Sequence, residues 1–403
     1  MWRYSRIDEL DLDRFRPAGT SRPGEEAGTS PSDRIHALVD GLGPRSGLVV
    51  TIDGVLATLA TTVGDDVVSI GRVADHPEGA DLLGAVLTDP QDFPLLNDAF
   101  APDPVVVDVQ PSAGSVDPVV VVHVVTGAPG AAVFTRTVVR AAAGSQAGVV
   151  EIVVDAQSGL LAGPRGDLLS PGGATERLVV PVTELSAGDG ATLRYVSIQS
   201  LGPDTWQLAH QASTIGAEAT LSSYAVALGG GYARLRTDSA LLGESGTSSL
   251  RAAFFGSDDQ MLDFRTLQDH RAPRTTSDLL FMGAVADTAH SVYSGLIRVR
   301  RGAVKSDAVQ TNHNLVLDEG AHADSVPNLD IEENDVKCSH GSTVGPVDED
   351  QRYYLESRGV EPERAEQLIV GGFFESIADQ VPVPGTRDLV ASALAARAGV
   401  GRG

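Results

Sequence analysis

Cysteine is nearly absent from this chain of 403 residues, which contains Cys338 alone. A single thiol excludes an intramolecular disulfide and a self-contained four-cysteine zinc or cluster site. A thiol-bound metal would therefore need ligands of another type or ligands from another chain. This cysteine usage favours the reducing environment of the cytoplasm.

Long apolar runs and basic residues are also scarce. No run of about 18 apolar residues occurs, and the first ten residues lack a signal-peptide pattern, so we expect neither membrane spanning nor secretion. Thirty Lys and Arg residues stand against 54 Asp and Glu residues, for a formal net charge of −24. Such a charge repels polyanions, which argues against nucleic acid or an anionic membrane surface as a partner.

The sequence signatures of common enzymes are missing as well. There is no phosphate-binding G-x-x-x-x-G-K-[ST] loop, no G-x-G-x-x-G before a helix, no H-E-x-x-H and no G-x-S-x-G. The glycine run at 229–231 has no lysine and no following helix, and it is interpreted as a turn or bulge. We therefore expect a non-enzyme that binds no nucleotide.

Short strands dominate what is present. Aromatic residues make up only 5% of the chain, and its apolar residues are mostly Val, Leu and Ala. Residues 101–347 contain strand after strand, each four to eight residues long, between Gly, Asp, Ser, Pro and Asn. This pattern predicts a mainly β protein built on a β-helix, a type of solenoid, although two stacked sandwiches remain an alternative. The predicted strand starts lie near 192, 205, 219, 231, 250, 261, 279, 292, 304, 314 and 326.

The regions on either side of the strands differ in composition. Residues 1–32 are predicted to be an N-terminal segment whose Pro- and Gly-rich part, from 17, is a flexible linker. Residues 33–100 are predicted to be a small α/β lead-in, in which Asp81–Leu87 suggests a short helix between two prolines. The region 101–347 is the predicted β-helix core, and 348–403 a helical region.

The C-terminal region carries several helix signals. Asp348 begins a predicted helix over 351–358, and Pro362 begins a second that continues to about Gln380. A third short helix is predicted over 388–396. Such helices on a strand-rich body either protect the open end of a solenoid or dock a partner.

One segment concentrates the side chains that bind metals. Residues 311–348 hold three of the nine histidines and the single cysteine. Cys338 and His340 are one residue apart, so on a strand they lie on the same face, where sulfur and imidazole suit a soft metal. Two ligands are too few for a site. In most chains with such a pair, the cysteine is a small buried side chain and the histidine a turn residue, so these residues alone favour a structural role for Cys338 and His340. His313 and His322 are also interpreted as structural.

The same region carries a family resemblance. The sequences TNHNLVL, SVPNLDI, DVKCSHGSTVG, YYLESRGV and AEQLIVGGFF occur in this order within 311–381, and together they closely resemble the end of the SufB/SufD family. The chain resembles the SufD branch, because Gly320-Ala321-His322 stands where SufB has its essential cysteine. A short N-terminal family motif resembles Trp2-Arg3-Tyr4. Family members usually carry more helical sequence before that motif, so we expect this chain to be a shortened form.

The resemblance implies a fold and a function. The fold is a right-handed parallel β-helix with a helical C-terminal region. The function is that of a non-catalytic scaffold in the cytoplasmic SUF complex, paired with SufB and bound to SufC, which hydrolyses ATP. By the family motif, Cys338 and His340 lie at the SufB interface, where a transient iron–sulfur cluster is shared and His340 is the favoured ligand or assembly residue. Whether a flavin acts at the level of the complex stays open.

The resemblance also places SufC docking on the C-terminal helices. The candidate docking residues are Ile369, Phe373, Phe374 and Ile377. Two other functions remain as alternatives: a stand-alone β-helix enzyme that acts on polysaccharide, and a purely structural β-solenoid.

Overall fold

The structure of the chain is a computed structural model that describes residues 4–19, 31–88, 90, 92–111, 114–155, 158, 160 and 176–400. Most of the predicted linker lies outside these residues, as do Trp2 and Arg3 of the N-terminal motif. No helix within the described ranges is long and apolar enough to cross a membrane.

Strands form most of the described chain. They are β1 (Arg16–Pro17), β2 (Gly47–Ile52), β3 (Val55–Thr61), β4 (Val68–Arg72), β5 (Val105–Val109), β6 (Val119–Val125), β7 (Ala131–Ala141), β8 (Gln146–Asp155), β9 (Arg177–Ala187), β10 (Thr192–Ser200), β11 (Thr205–Ile215), β12 (Thr220–Ala227), β13 (Tyr232–Leu241), β14 (Thr247–Gly256), β15 (Met261–His270), β16 (Thr276–Val285), β17 (His290–Val299), β18 (Asp307–Val316), β19 (His322–Ile331) and β20 (Lys337–Gly345). The helices are α1 (Pro31–Asp40), α2 (Gly79–Leu82), α3 (Phe93–Phe100), α4 (Glu349–Ser357), α5 (Pro362–Ala378) and α6 (Arg387–Val400).

From β5 onward the chain alternates between two sheets. Sheet A contains the odd-numbered strands from β5 to β19, and sheet B contains the even-numbered strands from β6 to β20 together with β2. Equivalent positions of successive turns pair in parallel, as in the column Thr192, Thr220, Thr247 and Thr276. The fold is a parallel β-solenoid of about seven turns. The predicted β-helix is confirmed, and the alternative of two stacked sandwiches is wrong because strands of a sandwich pair mainly antiparallel.

Side chains that point into the solenoid form its core. Phe264 and Phe281 from opposite sheets meet edge to face at 5.8 Å between ring centroids, and Phe281 lies 5.5 Å from Tyr293. All three rings are almost fully buried. Each such ring contributes roughly 1.5–3 kcal/mol through the apolar surface it removes from water.

Other segments cover the outer faces of both sheets. Side chains of α1, α5 and α6, among them Val39, Phe374 and Leu394, pack on the outer face of sheet B. Phe15 from the N-terminal segment packs on sheet A together with side chains from β7 to β17. Helices α5 and α6 contact β14 and β16 rather than the last turn. Within the described ranges, α5 and α6 do not cover β19 and β20, which form the open end of the solenoid, so the suggestion that the helices protect this end is wrong for both.

The three C-terminal helices themselves were predicted correctly. The carboxylate of Asp348 accepts the backbone N–H groups of Asp350 and Gln351, which caps the start of α4. Gly359 follows α4 with a φ of 85°, a conformation that glycine adopts at little cost. Helix α5 begins at Pro362.

The short helix predicted over Asp81–Leu87 is mostly absent. Helix α2 ends at Leu82, and the backbone N–H groups of Gly84, Val86 and Leu87 donate to the carboxylate of Glu184 instead. A buried acceptor on sheet A thus takes the donors that a helix would use internally. This loop and α3, which belong to residues 79–100, cover part of sheet A.

The folded protein should become less stable as the pH is lowered, because His270 is buried in its neutral form. Its ring nitrogens lie 2.8 Å from the hydroxyls of Thr275 and Ser277, and burial lowers its pKa from 6.5 to about 4. The unfolded chain therefore binds a proton before the folded chain does. The contribution of neutral His270 to the free energy of unfolding is therefore complete above pH 6.5. It is lost as the pH falls towards 4, which lowers the free energy of unfolding by about 3 kcal/mol.

Urea denaturation between pH 7 and pH 4 measures this loss. In His270→Gln the titrating ring is gone, so the free energy of unfolding should fall less steeply over the same range. Equal slopes for the two proteins would show that His270 is not the group responsible.

Candidate functional site

Cys338 and His340 both lie on β20, the edge strand of sheet B. In the register of the sheet they pair with Ala308 and Gln310 of β18, which are buried inside the solenoid. Because paired residues of a parallel sheet point to the same side, both side chains lie on the inward-facing side of β20. No further turn follows β20 in the part of the chain that the structure describes, so this side forms part of the open end.

The thiol of Cys338 is half-buried. It packs against an apolar cluster that includes Ile297, Val299 and Ala308. Burial, helped by the negative charge of Asp307, raises the pKa of the thiol. The sulfur is therefore held as a neutral thiol in the free chain at neutral pH, and it becomes a strong ligand only when a cation favours the thiolate.

His340 is exposed, and unsatisfied polar groups lie behind it. The side-chain amide of Gln310 is completely buried, yet neither its oxygen nor its nitrogen has a hydrogen-bond partner within the described chain. The hydroxyl oxygen of Ser325, on β19, is also buried and has no hydrogen-bond partner within the described chain. Buried polar groups nearly always have partners in native proteins. These atoms indicate that water or another molecule completes this end of the solenoid.

The pair does not form a complete metal site by itself. Among the described residues, no group of three metal-binding side chains includes Cys338 or His340. A protein-bound iron or zinc ion takes four or more ligands. Within the described residues the pair thus offers two ligands and no third.

Exposed apolar side chains surround the pair. Leu329 and Ile331 on β19 and Val344 on β20 are 39%, 41% and 46% exposed. Their partners on the preceding turn, Ile297 among them, are buried. The open end therefore combines an unpaired strand edge with apolar surface, features typical of a site to which another chain adds its strands.

Two of the four residues predicted to dock the ATPase are not accessible. Phe374 and Ile377 are buried, and Phe374 lies 6.2 Å from Phe255 of sheet B between ring centroids. Ile369 and Phe373 are half-buried against the same cluster. The docking role stays a prediction, and the burial of two of these residues limits it to the remaining surface of α5.

A groove between α5 and α6 offers such a surface. Its volume is about 390 Å³. The small residues Gly371, Gly372 and Ala395 line it together with Leu368, which is 44% exposed.

The other two histidines of the segment lie outside the open end. His313, on β18, contacts the hydroxyl of Thr343. His322 begins β19 and lies beside Asp324 and His290, two residues that sequence analysis did not single out. His290 precedes His322 by one full turn of the solenoid, so only knowledge of the register would have connected them.

Comparisons with known proteins agree on a family. The family described as "SUF system FeS cluster assembly, SufBD core domain" matches residues 123–373. An iron–sulfur cluster assembly SufBD family protein of Mycobacterium bovis is 36% identical over 219 residues, which cover 52% of this chain and 55% of that protein. The iron–sulfur cluster assembly protein SufD of Escherichia coli is 31% identical over 213 residues, or 53% of this chain and 50% of that protein.

A third relative is the SufD protein of Bacillus subtilis, 28% identical over 214 residues that cover 53% of this chain and 49% of that protein. The chain spans about half the length of the curated relatives it matches. The family match includes most of the solenoid, with Cys338 and His340 on its last strand and much of α5. This chain belongs to the SUF-system family of iron–sulfur cluster assembly proteins that share the SufBD core domain.

Proposed function

We propose that the chain is a non-catalytic, cytoplasmic scaffold subunit that pairs with a SufB-type protein through the open end of its solenoid. The observation that carries this proposal is the composition of the open end. It has two free strand edges and three exposed apolar side chains, and it presents Cys338 and His340 on its inward-facing side.

In the proposed complex, the partner's end strands extend sheets A and B across the interface. The apolar side chains Leu329, Ile331 and Val344 would then lose their contact with water, at a gain of roughly 25 cal/mol for each Å² buried. The amide of Gln310 would gain the partners that it lacks. Both effects favour association of an otherwise uncapped solenoid.

The cluster, as the cargo of this site, would be shared between the two chains. His340 supplies an exposed imidazole, and Cys338 supplies a thiol beside it on the same face. Because the pKa of Cys338 is raised, an iron ion would have to displace the proton from sulfur. The remaining ligands would come from the partner chain, since two ligands do not complete a site.

The proposal also includes a SufC-type ATPase on the C-terminal helices. The sequence has no phosphate-binding loop, so nucleotide hydrolysis belongs to that partner. The groove between α5 and α6 is the surface we assign to its docking, with the half-buried Ile369 and Phe373 close to it in the sequence.

Replacing His340 by Ala tests the proposal in the complex co-expressed with SufB-type and SufC-type partners. We expect the complex to assemble, because an exposed side chain contributes little to folding, and its iron and acid-labile sulfide to fall at least about tenfold. In contrast, Leu329→Glu places a charge in the interface and should prevent the chain from co-purifying with the SufB-type partner.

The matched control is His313→Ala, which removes a histidine from the neighbouring strand and should leave cluster content unchanged. Normal cluster content in an intact His340→Ala complex would remove His340 from the mechanism. Normal co-purification of the Leu329→Glu chain would show that pairing uses another surface.

A further inference from the structure

A second group of metal-binding side chains lies on the outer face of sheet A. His290 and His322 are the first residues of β17 and β19, and they pair in register with their ring centroids 5.1 Å apart. Asp324 follows His322 by two residues, so it lies on the same face of β19. Tyr293 on the opposite face of β17 lies inside the solenoid, whereas Val292 packs with the covering N-terminal segment.

The three side chains already converge on one point. The Nε2 atom of His290 lies 2.8 Å from Oδ2 of Asp324, and the Nε2 atom of His322 lies 3.4 Å from Oδ1. One ligand atom from each of the three residues lies within 4.8 Å of the other two. A metal with bonds of about 2.0–2.2 Å to nitrogen and oxygen holds its ligand atoms roughly 3–3.5 Å apart, so small side-chain rotations suffice.

We propose that His290, His322 and Asp324 bind a divalent first-row transition metal ion of the Fe²⁺ or Zn²⁺ class. Two imidazole nitrogens and one carboxylate oxygen are a donor set that suits these ions and not Ca²⁺ or Mg²⁺, which prefer oxygen. The set leaves coordination positions for water. The hydrogen bond between His290 and Asp324 would give way to bonds from both side chains to the ion.

The accessibility of the site favours an exchangeable ion. The side chains of His290 and Asp324 are 29% and 23% exposed, and that of His322 is 66% exposed. Solvent thus reaches all three ligands, and His322 has room to turn towards the ion. A closed structural zinc site would instead enclose the metal with four protein ligands.

The local charge favours a cation as well. The loops that precede the two histidines carry Asp287 and Asp318, and the backbone N–H of Asp287 donates to the carboxylate of Asp318 at 2.7 Å. Asp258 on the preceding turn donates in the same way to Asp287. These stacked carboxylates give this corner of the solenoid a negative potential that raises the local concentration of cations.

This site is separate from the one formed by Cys338 and His340. Those residues lie on the inward-facing side of sheet B, whereas the three ligands lie outside sheet A and include no sulfur. The inference therefore does not depend on the proposed pairing with a SufB-type protein.

Titration of the purified, metal-free chain with Co²⁺ and Zn²⁺ tests the site. We expect one Co²⁺ per chain, with visible ligand-field bands and without the charge-transfer band that a cobalt–thiolate bond produces. His322→Ala and Asp324→Asn should each weaken Co²⁺ and Zn²⁺ binding at least about tenfold. Asparagine keeps the size of Asp324 and one acceptor oxygen, so a loss of affinity reports the loss of the charged ligand.

His313→Ala is the matched control and should bind Co²⁺ as the unmodified chain does. Circular dichroism of every variant confirms that it is folded. The proposal is overturned if no saturable binding occurs, or if binding persists in His322→Ala and disappears in Cys338→Ser. This experiment measures metal affinity, whereas the His340→Ala experiment measures cluster content. The proposed metal site and the proposed role of His340 can therefore be refuted independently of each other.

Discussion

Replacing Glu184 by Ala should lower the free energy of unfolding by about 3–5 kcal/mol, because the variant leaves a buried charge without its buried partner. The carboxylate of Glu184 lies 2.6 Å from Nη2 of Arg136, and their side chains are 0% and 2% exposed. After the substitution, the one ion-pair partner left to Arg136 among the described residues would be Asp98, which is 40% exposed.

Glu184 also holds a loop on the outer face of sheet A. Its two oxygens accept the backbone N–H groups of Gly84, Val86 and Leu87 at 2.9–3.0 Å. Without the carboxylate these donors lose their partners, which adds to the cost. Urea denaturation measures the change in stability, and amide hydrogen exchange at residues 84–87 should speed up in the variant.

Glu78→Ala is the control for this substitution. Glu78 lies in the same region and pairs with Arg140 at 2.6 Å, but its side chain is 57% exposed, so its loss should cost under about 1 kcal/mol. The double variant Arg136→Met, Glu184→Leu should recover part of the lost stability, because no buried charge then lacks a partner. Equal losses for Glu78→Ala and Glu184→Ala would contradict the argument.

Strand positions could be predicted well where polar and apolar residues alternate, as they do in β11 and β15. The predicted starts at 192, 205 and 261 coincide with those of β10, β11 and β15. The prediction failed in β18, where a second strand start, after the one near 304, was placed at 314, close to the end of the strand. Asn312 and Asn314 resemble turn residues in composition, but both are buried, and the amide of Asn314 donates to the side-chain oxygen of Asn312. Because these buried residues are polar, the sequence pattern predicted a loop where the strand continues.

Contacts that depend on register or on distant segments could not be predicted. The motif around Cys338 implied a strand at the SufB interface. The structure makes β20 the edge strand of sheet B, and the interface itself stays a prediction. The pairing of His290 with His322 depends on the length of one turn, which varies because the loops differ in length. Likewise, the loop after α2 has no local signal for its structure, because its acceptor, Glu184, is about 100 residues away in the sequence.

Replacing Gly243 by Ala should destabilise the solenoid by about 3 kcal/mol, because adjacent turns leave no room for a side chain there. Gly243 lies in the loop between β13 and β14, directly against the equivalent loop of the preceding turn. A Cβ atom would lie 1.9 Å from the backbone nitrogen of Ala217 and 2.2 Å from the carbonyl carbon of Gly216. These are backbone atoms, so no change of rotamer can relieve the clash.

The hydrogen bonds of the loop oppose a shift that would make room. The N–H groups of Leu242 and Gly243 both donate to the carbonyl of Ile215, at 2.9 and 3.1 Å. Moving the loop outward would break these bonds between turns and weaken the stacking of β13 on β11. We therefore expect the cost to appear in global unfolding, measured by urea or thermal denaturation, and Gly243→Val to cost more than Gly243→Ala.

Gly71→Ala provides the comparison for this substitution. A Cβ atom at Gly71, on β4, would have no heavy atom within 4 Å, so the change should alter stability by no more than about 0.5 kcal/mol. The two variants add the same methyl group and differ only in the space that receives it. If Gly243→Ala were as stable as Gly71→Ala, the loops of adjacent turns would be able to separate without loss, and the close stacking at Gly216 and Gly243 would not be what holds successive turns in register.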